Sequence, residues 1–393
     1  MVSDRDDTRF VRLANVVGTR MPHSSHQTAD ELNMRIFSRI REAAGEYVAW
    51  DELARLSSAV VDDLDGLDAF GFKLERHPNL GVAYRGSADR LCPDQIEYEL
   101  GTRWIGRRIA VWSRASSTND LAARAASSSA NDGLVVLAEE QTAGRGRRGR
   151  VWSAPPRSSI LMSVVIFPPE ALVTNRPETE TADGRGWLTA LASVAVAEVV
   201  ASWTGLDARI KWPNDVRIDG RKVAGILVER SKGRTRRAGE DAVGSRSPIS
   251  PIGGGAVIGI GLNVNLTTEE LPHELRETST SIRILRGGEP VDRSELARDL
   301  IRRLDFLYEL GRTDGPESLS RPWSDLCEHL GGGVRITTPV GPVIGRLLDL
   351  DIRRGLTLAE TDTSLRPDSR KITIPLGDVL ALEGNVELAG PKC

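Results

Sequence analysis

The chain has 393 residues, room for two or three domains. Its 40% hydrophobic and 27% charged residues suit a globular protein, and a net charge of −3 excludes a global pull toward nucleic acid or anionic membrane. No apolar run approaches the ~18 residues of a bilayer span, the N-terminus lacks a secretory apolar core, and Cys92, Cys327 and Cys393 fit neither a disulfide framework nor a zinc site, so a reducing cytoplasm is the expected compartment.

In chain order, residues 1–30 are polar and irregular and are expected to form a disordered tail. From 31 to 95, "ELNMRIFSRIREAAGE" places Leu32, Ile36 and Ile40 at helical spacing, "AWDELARL" is a short helix, and a third helix opens at Ser57 or Ser58 and ends at Gly71. Two strand-like runs around "HPNLG" follow, so the order is that of a winged helix-turn-helix. Residues 96–320 read as one α/β unit. "SSTN" (116–119) starts a helix, "GLVVLAEEQT" and "SSILMSVVIF" are strands, and "WLTALASVAVAEVVASW" is apolar on most faces and hence a buried helix. "ARIKWPNDVRIDGRKVAGILVER" predicts a strand, a break, and a hairpin turning at Asp219-Gly220. "AVIGIGLNVN" reads as an edge strand, and "DRSELARDLIRRLDFLYEL" as an amphipathic helix. Inserts at 170–186 and 231–255, rich in Gly, Ser, Pro and Arg, are expected to be mobile. Residues 321–393 hold short strands separated by turns, as in a small SH3-like β-barrel.

Two stretches stand out. "AGRGRRGR" (143–150) carries four arginines and three glycines between two core strands. By itself it fits either an arginine-glycine surface patch or a loop, disordered when empty, that closes over an anionic ligand. Glycine permits close backbone approach and arginine binds carboxylate and phosphate bidentately. "KWPND" (211–215) ends a strand at Lys211, with Pro213 restricting the residue before it. It is either an ordinary strand end or a lysine fixed at a sheet edge facing a phosphate. Gly225 in "GRKVAGILVE" is a strand-interior glycine of the kind that marks close approach of a ligand, and Gly259 and Gly261 repeat the pattern.

Taken together and in this order, "SSTN", "EEQTAGRGRRGRVW", "KWPND", "GRKVAGILVE" and "GIGLNVN" resemble the biotin protein ligases, over about residues 31–390. The resemblance implies an α/β catalytic domain with a mixed sheet, an N-terminal winged helix and a C-terminal SH3-like barrel. It also implies ATP-dependent joining of biotin, through biotinyl-5′-AMP, to a lysine of a biotin carboxyl carrier protein such as that of acetyl-CoA carboxylase. By the same resemblance Ser117, Thr118, Asn119 and Gln141 hold biotin's ureido head, and Arg145, Gly146 and Arg147 close over biotin and its adenylate. Lys211 contacts the biotin carboxylate and the α-phosphate, Trp152 packs near the closed loop, and Asn263 contacts adenine. Mg²⁺ is carried by the ATP phosphates, with no dedicated metal ligands. The resemblance, whose members pair as dimers when liganded, makes the "AVIGIGLNVN" edge a candidate for homodimer pairing, with the interface itself not legible in the sequence.

Longer members also read DNA with the winged helix. Here the recognition helix holds Asp62, Asp63, Asp65 and Asp68 and no Lys or Arg, which opposes binding to a phosphate backbone. Two rival readings are a lipoate ligase or octanoyl transferase, the transferases needing a reactive cysteine, and a DNA-binding regulator whose ligand domain does no chemistry.

Overall fold

The computed structural model of the protein describes residues 31–169, 172, 185–230, 255–360 and 371–388. The expected tail, 1–30, and nearly all of the two expected inserts lie outside the described residues.

The chain begins with three helices, α1 (Met34–Glu42), α2 (Trp50–Leu56) and α3 (Val60–Phe70), then a hairpin of β1 (Lys73–His77) and β2 (Gly81–Gly86). Ile36, Phe37, Ile40, Leu53, Leu64, Leu67 and Val82 close a separate core there. Helix α3 starts one or two residues later than the serines suggest. Its N-cap is Ala59, and Ser57 Oγ instead accepts the Ala59 N–H at 3.0 Å in the preceding turn. Gly71, at φ 117°, ends the helix as expected for a left-handed C-cap.

Next come α4 (Pro93–Glu97), β3 (Arg108–Trp112), α5 (Thr118–Ala125), β4 (Leu134–Ala138), β5 (Ser159–Ile166) and α6 (Arg185–Thr204). They are followed by β6 (Ala208–Lys211), β7 (Asp215–Ile218), β8 (Arg221–Arg230), β9 (Ala256–Asn263), α7 (Ile282–Leu285) and α8 (Arg293–Asp314). Seven strands form one mixed sheet in the order β3-β4-β5-β9-β8-β7-β6, parallel only between β3 and β4. Strand β9 is therefore central, paired along its length with β5 and β8, and not the edge its sequence suggested. Alternating glycines reveal a strand but not its neighbours, which are set by pairing distant in sequence. A dimer formed by extending the sheet could not use this strand, since both its edges are occupied.

Helices α6 and α8 cover one face of the sheet and pack on each other. Helix α6 has the length and composition to cross a bilayer, but its side chains from Trp187 to Val200 are almost all fully buried in this core. The chain ends with α9 (Ser320–Asp325) and a five-stranded antiparallel sheet. Its strands are β10 (Gly333–Thr338), β11 (Gly341–Asp351), β12 (Gly355–Glu360), β13 (Lys371–Ile374) and β14 (Ala381–Gly384), in the order β13-β12-β11-β10-β14. Its core side chains Val334, Ile336, Leu347 and Leu358 join the hydrophobic cluster of the large sheet.

Two polar junctions fix the parts. Cys92 N–H donates to Ser294 Oγ at 2.9 Å, and Gln95 Nε2 donates to Asp292 and Glu295 at the start of α8. Beside them Arg293 and Glu139, both nearly fully buried, form an ion pair at 2.7 Å. At the other end the connector after α9 extends the edge strand β6: Ile210 N–H donates to Leu326 O, and Glu328 N–H to Ile210 O.

Candidate active site

A cavity of about 380 Å³ opens above the large sheet. Its polar floor comes from the start of α5. Ser117, Thr118 and Asn119 are all buried, because α5 begins where β3 leaves the sheet and its first turn points inward. Gln141 Oε1 accepts from Thr118 N–H at 2.7 Å and lies 3.0 Å from Thr118 Oγ1. Ser163 Oγ, on β5, lies 2.8 Å from Thr118 Oγ1 and 2.6 Å from Asn119 Oδ1, and Asn119 Nδ2 donates to Glu229 at 2.6 Å.

The arginine-rich loop forms the opposite wall. The loop forms a tight hairpin. Gly146 N–H donates to Arg150 O at 2.7 Å, Trp152 N–H to Gly144 O at 3.0 Å, and Ala143 N–H to Ser116 O at 2.8 Å. Arg148 takes a left-handed conformation (φ 56°) at its tip and donates to the Leu380 carbonyl, so the C-terminal sheet also meets the loop. Arg145 pairs with Asp120 at 2.7 Å and Glu229 at 3.3 Å, and its pKa is raised chiefly by the Asp120 hydrogen bond. Arg147 donates to Asn214 Oδ1 at 3.2 Å.

The loop returns through Trp152, whose indole lies flat on β8 and β9. A Cβ on Gly261 would come within 2.4 Å of that ring, and one on Gly225 within 3.1 Å. These glycines thus make room for Trp152, and Gly259 does the same for the Asn119 amide, 2.2 Å from where its Cβ would sit. At Gly225, which also lines the cavity, the Lys222 and Trp152 side chains come within 3.1 Å of where a Cβ would sit.

"KWPND" is the turn between β6 and β7, with Lys211 paired opposite Asp215 and a cis Trp212-Pro213 peptide. Lys211 lines the cavity on the side facing Glu328 and His329. A second lysine, Lys222, lines it too. Its ammonium pairs with Asp215 at 2.7 Å and stands 5.5 Å from the Trp152 ring centre. The sequence reading missed Lys222. The signal available was its place just after the Asp219-Gly220 turn, where β7 and β8 bring residue 222 beside Arg217 and near Asp215.

Of the residues singled out from sequence, the cavity gathers Ser117, Thr118, Asn119, Gln141, Arg145, Gly146, Arg147, Trp152 and Lys211. Asn263 stands apart. It is buried at the end of β9, opposite Ser159, with Nδ2 donating to Thr280 O at 3.0 Å, and it does not reach the cavity wall. Among the described residues no group of three His, Cys, Asp or Glu side chains is placed to hold a metal ion.

A cavity with a polar floor and cationic walls suits an uncharged polar head joined to anionic groups. Residues 111–243 match the model of the biotin/lipoate A/B protein ligase family. The chain is 33% identical over 304 residues to the biotin–[acetyl-CoA-carboxylase] ligase of Mycobacterium tuberculosis, covering 75% of this chain and 98% of that protein. The chain belongs to the biotin protein ligase family. It is also 29% identical over 329 residues to the bifunctional ligase/repressor BirA of Bacillus spizizenii, across 83% of this chain and 93% of that protein. Among solved structures, the biotin protein ligase of Aquifex aeolicus in complex with biotin and ATP aligns with TM-score 0.54 and 21% identity. It covers 71% of this chain and 100% of that one, and supports the mixed α/β fold of the ligase.

Proposed function

We propose that this ligase activates biotin with ATP and transfers it to a lysine of a biotin carboxyl carrier protein, as the family assignment and the cavity together support. The observation that carries this reading is one cavity lined together by the uncharged polar groups of Ser117, Thr118, Asn119 and Gln141, the arginine loop, Lys211 and Lys222. In the first step a biotin carboxylate oxygen attacks the α-phosphorus of ATP, and pyrophosphate leaves. In the second the neutral ε-amine of the acceptor lysine attacks the acyl carbon. AMP leaves, and the amine's proton is lost to solvent.

Both reactants of the first step are anionic, so fixed cations must offset their repulsion and the charge that builds up in the transition state. Lys222, the cation against Trp152, is our assignment for the carboxylate and α-phosphate, with Lys211 supplying positive potential from the KWPND turn. Ser117, Thr118, Asn119 and Gln141 present hydroxyl and amide groups to the ureido head. Arg145, Gly146 and Arg147 cover the adenylate, a mixed anhydride that water would otherwise hydrolyse. Mg²⁺ would enter as the counter-ion carried by the ATP phosphates, which need few protein ligands.

The domains we assign are 31–95 as a winged helix, 96–320 as the catalytic domain and 321–393 as an SH3-like module. A cytoplasmic setting suits the use of ATP. Octanoyl transfer is disfavoured because no cysteine lines the cavity among the described residues. Cys92 and Cys327 are buried elsewhere, their thiol pKa values pushed up by burial to about 12 and about 11. A sensor that does no chemistry is separated from a ligase by biotin-dependent exchange of labelled pyrophosphate into ATP. The ligase reading predicts exchange that needs biotin, and its absence despite biotin binding would establish the sensor.

A further inference from the structure

Glu229, at the end of β8, is absent from the cavity wall, yet it touches both halves of the site. It accepts from Asn119 Nδ2 at 2.6 Å on the floor side and pairs with Arg145 at 3.3 Å on the loop side.

The floor's hydrogen bonds contain too few protons for every contact. Thr118 and Ser163 supply two hydroxyl hydrogens to three close contacts: Thr118 with Gln141, Thr118 with Ser163, and Ser163 with Asn119. A carboxylate can only accept. Glu229 therefore requires the NH₂ of Asn119, which turns Oδ1 toward Ser163. Ser163 Oγ must then donate to Oδ1 at 2.6 Å, and its 2.8 Å contact with Thr118 can only be completed with Thr118 as donor. Gln141 Oε1 loses nothing essential, because Thr118 N–H already serves it at 2.7 Å. The result is a directed run Ser163→Asn119→Glu229; the single Thr118 hydroxyl hydrogen goes to Ser163 Oγ or to Gln141 Oε1, and in both arrangements Thr118 Oγ1 receives no proton from Ser163 and keeps lone pairs for a ligand N–H.

We propose that Glu229 is a positioning residue that fixes the donor–acceptor polarity of the ligand floor and, through Arg145, ties that polarity to the arginine loop. This rests on reading the floor as the biotin site, and it deepens that reading. The floor presents an acceptor to a ureido N–H because a carboxylate terminates the chain behind it. An amide there can donate as well as accept, so the direction is no longer imposed and the partner charge of Arg145 is lost. Asp120 still holds Arg145 from the other side, so the loop loosens without being released.

The test compares the full-length wild type with Glu229→Gln and Glu229→Asp. Calorimetry measures affinity for biotin and for a biotin analogue methylated on one ureido nitrogen. Trypsin cleavage within the loop, in the absence of ligand, reports its hold on Arg145. Glu229→Gln is expected to weaken biotin binding about tenfold, the scale of one charge-assisted hydrogen bond, and to shrink the preference for biotin over the methylated analogue. Loop cleavage should rise about threefold, the scale of one exposed ion pair, with the thermal midpoint unchanged. Glu229→Asp, which keeps the charge, should recover part of the analogue preference. Equal loss for both ligands with the preference intact would assign Glu229 a merely structural role and overturn the proposal, as would unchanged binding and cleavage. A wild type that binds no biotin would sink the ligand assignment, while the cleavage comparison would still decide whether Glu229 holds the loop.

Discussion

At the scale of single residues, the site depends on side chains that fit only because others are missing. Trp152 lies where Gly261 and Gly225 have no side chains. Gly261→Ala would place a methyl group 2.4 Å from the indole, so the ring must move. Overpacking of this kind costs about 1–3 kcal/mol, and it displaces the wall beside Lys222. Urea unfolding should register a loss of that size, and biotin-dependent pyrophosphate exchange should fall by more than stability alone explains. An unchanged exchange rate would show that Trp152 has no part in the site. The same residues show what a sequence reveals. "GRGRRGR", "KWPND" and "SSTN" each had an ordinary reading alone and became legible only through their combination and order, which carry the resemblance. Lys222 was hidden, since one lysine after a hairpin turn looks like solvent-facing decoration until the register with Asp215 is known. Asn263, carried over from the resemblance as an adenine contact, lies outside this cavity, with its Nδ2 donating to the Thr280 carbonyl.

At the scale of elements, the junction between the large sheet and the C-terminal sheet carries a buried histidine. His329 follows the connector that extends β6, packs against Gly384 on β14, and is surrounded by Lys211, Arg217 and Glu328. Burial, aided by the two cations, lowers its pKa from 6.5 to about 4. Glu328 shifts upward, burial outweighing Arg217 and Lys211. The unfolded chain therefore binds a proton at His329 that the folded chain refuses. Stability from neutral His329 is fully present above pH 6.5 and is lost as pH falls toward 4, up to about 3 kcal/mol. The stabilities of wild type and His329→Gln should differ by a constant amount above pH 6.5 and converge as pH falls toward 4, as denaturant unfolding would show. A difference that stays constant down to pH 4 would contradict this. Helices and hairpins were legible here because their periodicity and turn residues are local. Strand order was not: β9 looked like an edge but lies at the centre, because its partners come from residues 159–166 and 221–230.

At the scale of the molecule, the N-terminal unit has three helices and a hairpin, and the third helix carries four aspartates. Asp65 and Asp68 of α3 both pair with Arg76, and Glu75 pairs with Arg85, so two of the hairpin's three cations are already neutralised within the unit. Phosphate contacts dominate affinity for DNA, and this face offers few. A gel shift with the gene's own upstream DNA at physiological salt, with biotin and ATP, should show no specific complex, and tight biotin-dependent binding would restore a repressor role. The unit is nonetheless fastened to the start of α8 through Cys92 and Gln95, beside the buried Arg293–Glu139 pair. The central claim, that one cavity both activates biotin and delivers it, is tested most directly by transfer. Labelled biotin, ATP and Mg²⁺ would be supplied with a purified biotin carboxyl carrier domain to the wild type, Lys222→Ala, Lys211→Ala and Arg147→Ala. The account predicts ATP-dependent labelling of one carrier lysine by the wild type. It also predicts a fall of about a hundredfold or more for Lys222→Ala, the scale of losing one preorganised electrostatic contact to the transition state, and smaller losses for the other two. Full transfer by Lys222→Ala, or none by the wild type while it binds biotin, would contradict it.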